Sequence, residues 1–301
     1  MRAFLRLGSR GSRGPILRWQ ATSSRRTTSS SSSPPEGGGP ESEIEDNKRL
    51  LAGYSSLDAF FTLFTNAGAK NAMNLHNKAV INLEKDPIAS ILCYVDLLNP
   101  LLKKYNFVPQ EFLRGSREAF RQINLAIGSK ELRSYANGFV PSSPVNDLLK
   151  ISVSPKIYDA CLTAQKVSSD IMAQTTLVKC EVMESELKSV KIKILEEGDV
   201  DGPPEAAVAD DKPLSPPASM GTTNFYRGAT EQVLAKYPAG ALAAIVDVQF
   251  TAKEFYVSSM PTGEDVHHER VTHQVWTFVG HLSGDLDWVA SQFRFVNTGP
   301  L

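Results

Sequence analysis

The sequence predicts an α+β domain, helices packed against a curved antiparallel sheet. Three observations lead there. Apolar residues recur at steps of three and four from Asp86 to about Gln174, the step falls to two after Gln174, and the helical half precedes the strand half as a block. The chain has 301 residues, 42% hydrophobic and 22% charged, which is enough for one or two domains with a core and excludes wholesale disorder. No run approaches the roughly 18 consecutive apolar residues that cross a bilayer as a helix.

The first segment, residues 1–35, reads as an address rather than a fold. It carries seven arginines, no lysine and no acid, with a pure serine run from Ser29 to Ser33. Phe4, Leu5, Leu7, Ile16, Leu17 and Trp19 lie among the arginines, so a helix here is positively charged and amphipathic. That is the composition of a mitochondrial transit peptide. Setting those arginines aside leaves 25 basic residues against 33 acidic ones, a balance of −8. Such a chain has no general attraction to nucleic acid, so DNA is not expected as a partner and ribosomal RNA contact is disfavoured by charge.

Residues 36–108 read as linker and amphipathic helices. PPEGGGPE at 34–41 is linker by composition, and Ser42 with Glu45 matches a capping box. Behind it Leu50, Tyr54, Leu57, Phe61 and Phe64 form a stripe, widened by Leu51 and Phe60, on a helix expected to end near Asn66–Gly68. The stripe has two readings, packing on its own domain or a partner, and lying on a membrane surface. Its polar face lacks the Lys/Arg richness that anionic lipid prefers.

Pro87 then opens a helix through Leu92, Val95 and Leu98, which Pro100 interrupts. Pro109 starts another with Phe112, Ala119, Phe120, Ile123 and Ile127. A short helix spans Ser129 to Asn137, closed by Gly138. Pro155 begins a helix whose apolar face carries Ile157, Cys161 and Leu162, so Cys161 reads as a packed thiol.

Two strands are expected next. Val178, Cys180 and Val182 alternate with polar residues, and so do Val190, Ile192 and Ile194. Prolines, glycines and acids between 196 and 223 read as a disordered acidic insert. A helical turn or two follows around Ala229–Tyr237. A strand through Val246, Val248 and Phe250 runs toward Val257, and residues 258–263 supply turn chemistry. Val271, Val275 and Val279 oppose Gln274, Trp276 and Phe278 on the next strand. Ser283-Gly284-Asp285 makes a tight connection to a last strand, Leu286 to Val296.

Catalytic motifs are absent. No phosphate loop, no G-x-G-x-x-G after a strand and no HExxH occurs, and the three cysteines are scattered. No catalytic, cofactor or metal residue is therefore expected, and the chain reads as non-enzymatic. His273 and His281 share strand parity, while His267 and His268 fall in a solvated turn with Glu264, Asp265 and Glu269. Trp276, Phe278 and Trp288 are the candidates to line an apolar pocket, with the sheet–helix interface as the alternative place for the tryptophans. Asp247 is a single carboxylate facing such a pocket.

The stretch Phe112–Phe120, then Gly128-Ser129-Lys130-Glu131-Leu132, then Val275-Trp276-Thr277-Phe278 and Asp287-Trp288, resembles the mitochondrial inner-membrane translocase subunit forty-four family. The likeness covers about residues 109–297. It implies a cone of the nuclear-transport-factor-two-like type. It also implies protein partners at the matrix face of the inner membrane, in import or in tethering ribosomes to the membrane. A structural protein of the large mitochondrial ribosomal subunit belongs to the same family, and enzymes share the cone-shaped fold. Both stay open as alternatives. Residues 36–108 are too short and too apolar for the long charged region by which an import-motor anchor recruits its chaperone, which favours a peripheral matrix adaptor. Residues 1–40 fused to a fluorescent reporter are expected to carry it into mitochondria; a cytosolic reporter would remove the address.

Overall fold

The computed structural model describes residues 40–54, 87–171, 175–196, 229–259, 264–284 and 287–296. The expected Leu57, Phe61 and Phe64, most of the acidic insert and the turn at 260–263 lie outside them. Among the described residues seven helices precede the sheet: α1 (Pro40–Gly53), α2 (Pro87–Leu97), α3 (Pro100–Lys104), α4 (Pro109–Ile127), α5 (Lys130–Ala136), α6 (Pro144–Ser152) and α7 (Pro155–Ile171). Then come β1 (Thr175–Ile194), α8 (Ala229–Leu234), β2 (Leu242–Ser259), β3 (Asp265–His281) and β4 (Trp288–Phe295). The strands form one antiparallel sheet in the order β1-β2-β3-β4. The α+β class is therefore observed.

Prolines set the helix starts. Pro100 breaks the chain between α2 and α3 as expected, and Asn99 caps α3 by accepting from the Leu101 N–H at 3.0 Å. Ser129 caps α5 through the Leu132 N–H. Gly138, at φ 74°, ends α5 with the paired bonds of a Schellman motif, Gly138 N–H to Tyr135 O and Phe139 N–H to Ser134 O. Helix α6 was not expected. Its signal is local: Ser143 accepts from the Asn146 N–H, and Pro144 occupies the first turn.

Helix α1 departs from expectation in both bounds and phase. It starts at Pro40, so Ser42 lies inside the first turn, and Glu45 faces Arg49 at 3.6 Å rather than closing a capping box. It ends at Gly53, well short of Asn66. The docked side runs through Ile44, Asn47, Leu51 and Tyr54. Ile44 rests on Gly240, Asn47 is 3% exposed between Tyr105 and Lys104, and the Tyr54 hydroxyl donates to the Val95 carbonyl. Leu50 is exposed at 38%. Of the two described stripe residues, Tyr54 packs back onto the domain and Leu50 does not.

One strand replaces the two expected between 175 and 194. Register shifts at Leu177/Lys179, Val182/Glu184 and Leu187/Ser189 let it pair with β2 along its whole length. The first shift reverses the local alternation: Leu177 and Cys180 are buried, and Val178 is 54% exposed. Strand β3 begins at Asp265, so His267 and His268 belong to the ladder with Val257 and Tyr256 rather than to a turn.

The main core lies where α4, α6 and α7 meet one face of the sheet, on Val246, Val248, Phe250, Trp276 and Phe278. A second cluster lies on the opposite face under α8, with Ala243 and Val279 against Val233 and Leu234. Both faces of the central strands are thus covered, which is why Val279 and Phe278 are both buried. Two sheet edges are closed by the helical layer. Ser154 N–H bonds the Ala290 carbonyl on β4 at 2.9 Å, and Arg117 Nη2 bonds the Val182 carbonyl on β1 at 2.9 Å.

Trp276 is 1% exposed, with its ring 4.9 Å from Phe120 and 5.4 Å from Phe293. Trp288 lies across Gly280, where an added Cβ would come within 2.7 Å of the indole. Trp276→Ala should cost about 3–5 kcal/mol in chemical denaturation. Gly280→Ala should cost about 1–3 kcal/mol by overpacking, and that cost should vanish in a Trp288→Ala background. Additive losses would show that the indole does not sit on the glycine.

Candidate functional site

Two polar constellations interrupt the sheet, one on each face. On the helix-facing side the inward row of β2 runs Val246, Val248, Phe250, Ala252 and then Glu254. Glu254 is 3% exposed. Its Oε2 accepts from the Tyr256 hydroxyl at 2.7 Å, and its Oε1 accepts from the Thr272 hydroxyl at 3.1 Å and the Gln274 amide at 3.3 Å. Gln274 in turn accepts from the Trp276 indole N–H at 2.9 Å. The chain of bonds ties the carboxylate to the aromatic core. Every side-chain donor to it is a neutral group, two hydroxyls and one amide.

Cys180 lies opposite Glu254 on β1, and burial, then the carboxylate, pushes its thiol up to about 12. Burial and Glu254 also raise Tyr256. Cys161 is 6% exposed and is pushed up to about 12 by burial, and Cys93 reaches about 12 by burial and then Asp96. Thiols held so far above neutrality are packing groups, not nucleophiles.

Asp247 sits on the other face, away from Trp276 and Phe278, so it does not look into the helix-facing interior as expected. It accepts from Ser189 at 2.7 Å and from Thr277 at 2.6 Å, one hydroxyl from each neighbouring strand. The histidines are dispersed. His273 pairs with the Thr251 hydroxyl at 3.1 Å, His281 stacks on Tyr237 with ring centres 4.9 Å apart, and His267 and His268 are exposed. His273 and His281 share a face but stand about 26 Å apart along the strand. Among the described residues no group of three His, Cys, Asp or Glu is placed to hold a metal, and no helix is long and apolar enough to cross a membrane.

The three expected lining residues occupy the helix–sheet interface. Trp276 and Phe278 are 1% and 3% exposed. Trp288 is half-buried, with its ring centre 4.6 Å from Phe112 and 6.0 Å from Phe107. Glu254 was missed in the sequence, although counting inward positions by twos from Val246 reaches it. Thr272 and Gln274 could be joined to it only once the β2–β3 register was known.

No protein-family model matches the chain, and no curated protein matches it either.

Glu254→Ala removes the one acceptor shared by three donors. It should lower stability by about 1–3 kcal/mol, the cost of leaving buried donors unpaired. Unchanged denaturation would show that those donors find other acceptors.

Proposed function

We propose that the protein is a non-catalytic mitochondrial adaptor, peripheral on the matrix face of the inner membrane, that holds protein partners during import or ribosome–membrane tethering. The observation that carries this reading is the filled interior. Phe120 and Phe250 are fully buried beside Trp276 and Phe278, and their rings pack against one another between helices and sheet. Asp247 and Glu254 both accept from neighbouring donors, Ser189 and Thr277 on the one and Tyr256, Thr272 and Gln274 on the other. What remains for function is surface. The arginine-rich leader supports a mitochondrial address, and the order of helices followed by an antiparallel meander is compatible with the cone-shaped arrangement.

A second reading rests on Glu254. A buried carboxylate bonded to a tyrosine is the kind of pair that performs proton transfer in small-molecule enzymes.

Affinity purification of the tagged full chain from mitochondria tests the adaptor. Recovery of translocase subunits or membrane-tethered ribosomes is expected, and it should survive Glu254→Gln and Tyr256→Phe. Stoichiometric recovery within the large ribosomal subunit, resistant to membrane removal, would replace the adaptor with a ribosomal structural role. Recovery of no protein partner would sink it.

A further inference from the structure

The β2–β3 hairpin ends beside the start of β1, where Thr175 pairs with Ser258 and Ser258 with Val266. Residues 267–271 of β3 are exposed without interruption, so side chains on both faces of the strand meet solvent. The pairing with β4 runs from Gly280 to Gln274 and closes with Val296 N–H on the His273 carbonyl at 2.8 Å. Among the described residues nothing pairs with the β3 edge from Asp265 to Thr272.

Which groups that edge presents follows from the last bond. The His273 carbonyl points toward β4, and in an antiparallel strand the N–H and C=O of one residue point the same way and alternate between neighbours. The β2–β3 register has no shift between Asp265 and Gln274. Asp265, His267, Glu269 and Val271 therefore direct their N–H and C=O groups outward. The segment has no bulge or proline, and the charge on it is of both signs, Asp265 and Glu269 beside Arg270.

We propose that this edge is the pairing surface for a second copy of the chain, the two β3 strands running antiparallel about a two-fold axis at His268. Isologous pairing sets residue i against j and j against i, and opposite residues share a face of the sheet. The register centred on His268 sets Asp265 against Val271 and His267 against Glu269, engaging every outward group of both copies. It sets each Glu269 carboxylate against an imidazole that can donate to it, and sets His268 against its own copy. Centring one residue earlier sets Asp265 against Glu269, and one residue later sets Glu269 against its own copy; facing like charges oppose both. At His268 each carboxylate of Glu269 meets an imidazole of the second copy. Lys253, which already pairs with Glu269 from the neighbouring strand, stays within its own copy.

Sedimentation equilibrium of the full chain over the micromolar range tests this. The expected result is a molar mass rising with concentration from 32.9 kDa toward twice that value. His267→Glu faces Glu269 with a second acid and should return the mass to the monomer, whereas His267→Lys should keep the dimer. Val271→Pro removes an outward N–H without touching the β2 ladder, and should also give monomer. If that variant fails to fold, the His267 pair still decides. Amide exchange at His267, Glu269 and Val271 should slow as concentration rises. A monomer at every concentration, or a dimer indifferent to His267→Glu, overturns the proposal. So does concentration-independent protection of those amides that disappears when residues 297–301 are removed, because the chain's own end would then be the occupant.

Discussion

Helix α4 reaches the sheet through rings, and the rest of the arrangement is built around that contact. Phe120 meets Phe250 at 4.4 Å and Trp276 at 4.9 Å, while Phe112 meets Phe278 at 5.8 Å and Trp288 at 4.6 Å. Two turns of one helix thereby touch β2, β3 and β4 together. Aromatic pairs gain beyond their buried area only at particular distances and tilts, so the column fixes the rotation of α4 as well as its position. Arg133 then closes the far end. Its guanidinium donates to the Thr175 carbonyl and to Gln165, and Gln165 donates to the Ile127 carbonyl, joining α5, α7, the end of α4 and the start of β1.

With α4 fixed on one face and α8 on the other, the end of the sheet around Leu242–Ala244 and Phe278–Gly280 has no solvent side. Alternation is lost where both layers are present and returns where they end. Beyond Thr272 the core thins to Leu177 and Cys180 with Tyr256 against them, and the outer aromatics are covered by charge. Lys179 and Lys253 lie 5.2 and 5.3 Å from the Phe255 ring centre, and Arg270 covers Phe295 at 5.8 Å. Cations on ring faces keep apolar area from acting as an adhesive patch, while leaving the backbone edge unpaired.

How much of this was legible in the sequence depends on how local the cause is. Pro87, Pro100, Pro109 and Pro155 act on their own turns, and the helices they open are where the spacing put them. The change of period after Gln174 announced the sheet. The bulges of β1 were not legible, because Val178 goes outward only as the extra residue between Leu177 and Lys179, whose partners Tyr256 and Phe255 lie on a strand some eighty residues away. Helix α1 shows the same limit from the other direction. The stripe built on Leu50 is the more apolar one, yet Asn47 faces inward because Tyr105 and Lys104 satisfy its amide. Apolar periodicity does not register a polar residue buried by its partners.

Asp247 and Glu254 show why neither carboxylate declares its role by type. Both accept from hydroxyls on adjacent strands, and both lie on β2 seven residues apart, so they fall on opposite faces. Asp247 is half-buried on the face that α8 covers only at the other end of β2. Glu254 is inside, and Trp276 is bound to it through Gln274. Charge held inside by neutral donors alone is costly unless every donor keeps its aim. That makes the aromatic column and the polar row a single unit. A shift of α4 that moved Trp276 would pull Gln274 from the carboxylate. In the proposed adaptor, recognition falls to parts that can change without disturbing the column, the exposed side of α1 and the β2–β3 hairpin.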